Sequence, residues 1–169
     1  GFFASYEKSK AHLDAGAKKV LISAPCKCEA EKVCPVNTKT LVLGVNDRTY
    51  DKNKHHIISN ASCTTNCVAP VLKVVQDNIG IKRCFFTTVH AYTSSQKMVD
   101  GQDKNLRRAR AAAINIIPTS TGADVAAVEA IPELQGKVRG LAFRVPVPDG
   151  SVTDFTIETM RDVLPDEVN

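Results

Sequence analysis

One stretch of this chain has the makings of a nucleophile. In Ser62-Cys63-Thr64-Thr65-Asn66-Cys67 a thiol sits among hydroxyl and amide side chains. Lys54–Ser59 before it reads as a strand, and the apolar run Val68–Val75 after it reads as a helix. Cys63 therefore falls at or just before a first helical turn, where unpaired N–H groups and the positive end of the helix dipole meet. Such a place favours thiolate, the nucleophilic form of cysteine. Most cysteines are small buried apolar residues, so the reading needs a partner. His90, 27 positions later on a strand, is the candidate base.

Three further groups suit anions. Between Lys97 and Arg110 stand five cations (Lys97, Lys104, Arg107, Arg108, Arg110) against Asp100 and Asp103. This is either a solvated face or a phosphate clamp, because a guanidinium fork matches phosphate oxygens. Thr119-Ser120-Thr121-Gly122-Ala123 precedes an Ala- and Val-rich helix and is either a plain cap or an anion seat. Arg144 lies inside an apolar strand and needs an anion or carboxylate partner there. Cys26, Cys28 and Cys34 lie in one polar loop. With no fourth ligand in sight, the loop reads as surface structure holding free thiols and no metal. His55 and His56 are adjacent and face opposite ways on a strand, so they make a poor metal pair.

The elements that must carry these residues alternate. Ser5–Ala17 is predicted helical, and Val20–Ile22 a buried parallel strand. Ligands of parallel sheets sit beyond the carboxyl ends of strands, which puts Ser23 and Ala24 at a plausible cofactor edge. Residues 40–46 read as another strand. A helix over about residues 64–77 carries Cys67 one turn beyond Cys63, more simply as a packed residue than as a resolving thiol, with a kink expected at Pro70. Residues 81–93 alternate as a long strand, with Cys84, Phe86, Thr88 and His90 on one face. Then come a helix over 124–130, a strand over 138–147, and a half-buried antiparallel strand over 151–160.

Composition excludes several classes. The net charge of +4 is mild and the cations are interspersed with acids, which does not point to nucleic acid. No apolar run approaches the roughly 20 residues of a membrane span. Gly1-Phe2-Phe3-Ala4 reads like the interior of a larger chain.

Taken together and in order, Ala61–Cys67, Thr88–Thr93, Leu106–Ala113, Ile116–Ala123 and Phe143–Pro146 resemble the glyceraldehyde-3-phosphate dehydrogenase family. The resemblance implies an α/β chain. Residues 1–60 would be the C-terminal part of a dinucleotide-binding domain, the end of a Rossmann-type parallel sheet. Residues 61–169 would be an α+β catalytic domain with a mainly antiparallel sheet, incomplete at its C-terminus. It implies Cys63 as nucleophile, forming a thiohemiacetal and then a thioester, and His90 as base. Ser62, Thr64, Thr121 and Gly122 would surround one phosphate or substrate site. Thr93 and Arg144 would hold the substrate phosphate, with Arg108 between the two sites. Ser23 would touch the nicotinamide side of NAD or NADP, and Gly1 would lie near the adenine-nucleotide side. Implied partners are glyceraldehyde 3-phosphate and inorganic phosphate, in a homotetramer, with no nucleic acid and no membrane. The implied location is the cytoplasm, with a plastid as the alternative. There is no G-x-G-x-x-G in the chain, so weak binding of the dinucleotide by this stretch alone is expected. The alternatives are erythrose-4-phosphate dehydrogenase and a non-catalytic interaction protein that keeps the fold.

Overall fold

The computed structural model describes residues 2–28 and 34–169. The chain divides into two units, Gly1–Val74 with Val125–Gln135, and Val75–Asp124 with Gly136–Asn169.

In the first unit α1 (Tyr6–Asp14) starts where the sequence predicts. Ser5 is its N-cap, and the Ser5 hydroxyl accepts from Lys8 N at 3.5 Å. Strands β1 (Val20–Ile22), β2 (Thr38–Thr40) and β3 (Ile57–Ser59) form an all-parallel sheet in the order β1-β3-β2. Two expectations change here. β1 is parallel, but only Ile22 is buried, while Leu21 is 71% exposed. Successive side chains of a strand point to opposite faces, and among the described residues the Leu21 face stays open.

The strand expected over 40–46 also ends early. β2 stops at Thr40, and the buried Asn46 amide closes a turn after it. Its Oδ1 accepts from Val42 N at 2.8 Å, and its Nδ2 donates to Thr40 O at 3.0 Å. The amide takes backbone groups that a longer ladder would have used. Val42 is still buried, while Leu43 points out at 83% exposure.

Helix α2 (Cys63–Asn78) begins one residue earlier than expected and continues past Pro70. It buries Thr65, Val68, Ala69 and Leu72, the spacing of one helix face.

The second unit is a four-stranded sheet of β4 (Ile81–Ala91), β5 (Ile117–Thr119), β6 (Val138–Val145) and β7 (Ser151–Thr159). The order is β5-β6-β4-β7. β4 runs parallel to β6, whereas β4–β7 and β5–β6 are antiparallel, so two of the three pairings are antiparallel. The two sheets thus match the expected class, a parallel α/β end followed by a mainly antiparallel α+β sheet. β4 alternates as predicted, with Cys84, Phe86 and Thr88 buried and Phe85 and Val89 turned outward. Phe86 lies opposite Gly140 of β6. A Cβ at Gly140 would come within 2.3 Å of the Phe86 ring, so only glycine fits beneath it. Helix α3 (Ala123–Ala130) follows β5, and α4 (Pro165–Val168) lies at the end of the described chain.

Candidate active site

Cys63 is the first residue of α2 and is exposed. The local sequence explains why the helix starts there. Ser62 caps it, its hydroxyl oxygen accepting from Thr65 N at 3.0 Å and lying 2.7 Å from Thr65 Oγ1. Asn66 Nδ2 donates back to Asn60 O and Ser62 O at 2.8 and 2.9 Å. The chain enters this turn through Ala61, which is buried and has φ +56°, a left-handed conformation uncommon for alanine. Ser59 makes that entry possible. Its buried hydroxyl donates to Ala24 O at 2.9 Å and accepts from Cys26 N and Ala61 N at 3.2 and 3.1 Å. One donor and two acceptor sites are the whole capacity of a serine hydroxyl. This one side chain therefore joins the loop after β1 to the turn before Cys63. Asn60 N adds a bond to Ile22 O at 2.9 Å. Ser23, the expected cofactor contact, stands exposed in the joined loop, just past the carboxyl end of β1. Thr64 is half-buried as the second residue of α2. Gly1 lies outside the described residues.

In the second unit, register brings together two residues that are 54 apart in sequence. His90 of β4 is the partner of Arg144 of β6. Arg144 Nη1 lies 2.7 Å from His90 Nδ1 and donates to Ala91 O at 2.9 Å. His90 Nδ1 is also 2.7 Å from Ala91 O. A ring nitrogen has one in-plane position, so Nδ1 either donates to Ala91 O or accepts from Arg144. When it donates, Nε2 holds the lone pair and can take up a proton. The partner expected for Arg144 was an anion or carboxylate. Here an imidazole and a carbonyl oxygen are its neighbours.

Thr93 and Arg108 also come together. β4 ends at Ala91, so Thr93 belongs to the following turn, and its hydroxyl lies 3.0 Å from Ser95 Oγ. Arg108 Nη2 donates to Ser95 O at 2.9 Å. Arg108 Nε is shut off from solvent with no hydrogen-bond partner among the described residues, which leaves a donor for a bound anion. Thr121 Oγ1 accepts from Ala123 N at 3.1 Å at the start of α3. A Cβ at Gly122 would meet nothing within 4 Å, so packing does not demand glycine there.

The pattern described as glyceraldehyde 3-phosphate dehydrogenase, C-terminal domain, matches residues 62–169. The chain belongs to the glyceraldehyde-3-phosphate dehydrogenase family. Over all 169 residues it is 54% identical to glyceraldehyde-3-phosphate dehydrogenase of Streptomyces coelicolor. It is also 54% identical to that of Mycobacterium tuberculosis, and 52% to glyceraldehyde-3-phosphate dehydrogenase 2 of Trichormus variabilis. These alignments take in 48%, 47% and 48% of those proteins, so the chain spans about half the length of the curated relatives it matches.

Against this family background, the cysteines correct the sequence reading in two places. Cys67, expected to be packed, is exposed one turn along from Cys63. It lies on the helix face away from Val68, Ala69 and Leu72. Cys28 and Cys34, expected as free thiols, form a disulfide with Cα atoms 5.4 Å apart. Sequence spacing alone does not reveal such a pairing. Cys84 is buried in β4, and burial pushes its thiol up to about 11.

Two residues were missed. Ser59 occupies an inward position of β3, where alternation calls for an apolar side chain, and that mismatch was the available signal. Gln96 is buried, and its Oε1 accepts from Thr93 N at 2.9 Å and Thr93 Oγ1 at 3.1 Å, fixing the Thr93 turn. Nothing in its surrounding sequence distinguishes it.

Proposed function

We propose that this chain carries the nucleophile and phosphate-binding groups of a phosphorylating glyceraldehyde-3-phosphate dehydrogenase. In this reading residues 1–60 end the dinucleotide-binding domain and residues 61–169 belong to the catalytic domain. The observation that carries it is the seat of Cys63. It is an exposed thiol at the first residue of a capped helix, entered through a left-handed Ala61 and tied by Ser59 to the carboxyl edge of a parallel strand.

Cys63 Sγ adds to the aldehyde carbon, and its proton passes to His90 Nε2 in the tautomer whose Nδ1–H donates to Ala91 O. The N–H groups opening α2 are donors for the oxygen of the resulting thiohemiacetal. NAD(P), when bound, supplies the hydride acceptor. Ser23, exposed past β1, fits the edge of a nicotinamide site by the rule that ligands lie beyond strand carboxyl ends. Inorganic phosphate then attacks the Cys63 thioester, giving 1,3-bisphosphoglycerate and returning the thiolate. Arg108 Nε and the Thr93 hydroxyl serve one phosphate group, and the Thr121–Gly122 turn serves another.

The test uses the aldehyde step alone. The 169-residue chain is alkylated with iodoacetamide with and without glyceraldehyde 3-phosphate, and the modified sites are located by peptide fragmentation. The aldehyde should protect Cys63 and leave Cys67 unprotected, and His90→Ala should slow alkylation at Cys63. Equal labelling of Cys63 with and without the aldehyde would sink the enzyme reading. Stronger protection by erythrose 4-phosphate would favour the erythrose enzyme instead.

A further inference from the structure

Cys26, Cys28 and Cys34 form a cluster that the aldehyde chemistry does not use. Their three sulfurs all lie within 4.8 Å of one another. They border a cavity of about 430 Å³ whose lining also includes Thr38, Lys39 and Glu129. Two features of the fold build this place. A parallel bridge between Ser5 and Lys27, with Tyr6 N donating to Lys27 O at 2.8 Å, sets the start of α1 against the cysteine segment. Glu129, near the end of α3, comes to the same hollow from far along the chain. Tertiary structure thus brings a carboxylate to the cavity as a candidate fourth ligand, which the local sequence lacks.

We propose that the reduced cluster is a binding site for a zinc-class divalent cation, held by the thiolates of Cys26, Cys28 and Cys34 and the carboxylate of Glu129. Thiolates select soft and borderline cations, and zinc takes four ligands in a tetrahedron. At a Zn–S distance of about 2.3 Å the sulfurs of such a site stand roughly 3.8 Å apart; all three already lie within 4.8 Å, and the Cys28 and Cys34 sulfurs part to that spacing once their bond opens. The local charge favours a cation. The carboxylates of Glu7 and Glu129 both act on Cys26, and a divalent ion offsets that accumulated negative charge. Three thiolates and a carboxylate around a divalent ion leave an excess of negative charge, which Lys39 in the cavity lining offsets in part. The Thr38 hydroxyl oxygen is closed off from solvent and has no hydrogen-bond partner among the described residues. Lining the same cavity, it is the donor available to a ligating sulfur once the ion binds, the role of outer-shell groups of metal sites.

The Cys28–Cys34 disulfide and the metal-bound form are alternative states of the same sulfurs. A dithiol reductant supplies two electrons and two protons to open the S–S bond and closes its own disulfide. The cation then displaces the thiol protons of the three cysteines. Oxidation of Cys28 and Cys34 by a disulfide reverses the process and releases the ion.

Cobalt(II) titration tests this, because thiolate ligands give cobalt an intense near-ultraviolet charge-transfer band. The 169-residue chain is reduced with a phosphine, desalted without oxygen and titrated with Co²⁺, then with Zn²⁺. One cobalt per chain should bind with a thiolate band that Zn²⁺ abolishes, and the oxidised chain should show no band. Cys26→Ser should weaken the band. Glu129→Gln, a change at an exposed position that leaves the fold intact by circular dichroism, should lower affinity by at least ~10-fold, the loss that even an outer-shell partner commonly brings. A Cys63→Ser/Cys67→Ser double variant should bind cobalt like the parent. The proposal is overturned if the reduced chain gives no thiolate band, or if the band disappears in the Cys63/Cys67 double variant. It is overturned equally if Glu129→Gln binds as tightly as the parent.

Discussion

The two units hold their chemistry-bearing residues by different means. In the first, strands are three residues long, and Cys63 is placed by side chains that bond to backbone: Ser59, Ser62 and Asn66. In the second, strands of eight to eleven residues place His90 and Arg144 by register alone. Position in one unit depends on a few hydrogen bonds. In the other it depends on the whole ladder and the core beneath it. Substitutions in the first unit should therefore disturb the site out of proportion to stability, and those in the second should do the reverse.

The largest effect is expected from the second unit. Phe86→Ala removes a side chain that is 1% exposed and should cost about 3–5 kcal/mol in urea unfolding. Gly140→Ala puts a methyl into the Phe86 ring and should cost at least ~1–3 kcal/mol. If either variant unfolds like the parent, register is not what holds this sheet. Ser59→Ala comes next. It strips the acceptor from two N–H groups, at roughly 1–3 kcal/mol for a buried group left unpaired. It should also change the alkylation rate of Cys63 more than Phe86→Leu does. The same rate in both variants would erase the distinction between the units. Ser62→Ala should lower stability by about 1 kcal/mol in thermal melts, as loss of a helix cap does.

The last prediction concerns pH, and the dependence it describes vanishes below pH 9. Cys84 is raised from 9.0 to about 11 by burial, so the folded state favours its protonated form. That contribution is complete below pH 9 and is lost as pH rises toward about 11. The stability difference between the parent and Cys84→Ala should narrow across that window. A difference that stays constant from pH 8 to 11 would refute the assignment.

The same contrast explains how far the sequence could be read. Long-range alternation made β4 legible, including the shared face of Cys84, Phe86 and Thr88, because period two needs no knowledge of the rest of the fold. The start of α2 was legible because capping is local. β2 was misplaced because Leu41-Val42-Leu43 looks like a strand until the Asn46 amide claims its backbone. The exposure of Leu21 and the approach of Glu129 depend on how distant parts of the chain pack, and the Cys28–Cys34 bond depends on where two sulfurs lie in space, which a separation of six does not fix. The Ser59 junction is the sharpest case. Its three partners lie at residues 24, 26 and 61, and two of them are more than thirty positions away.

Gly140 acts as a ruler for the sheet. The Phe86 ring can lie flat only where the facing strand has no side chain, and in β6 that is one position. If β4 slid by two residues, the faces would be preserved, but Phe86 would meet Ala142 or Val138 in place of glycine. Four residues further on, the same slide would separate His90 from Arg144. A residue with no side chain thus counts out where the proposed base stands, and the sheet can be assembled in a single alignment.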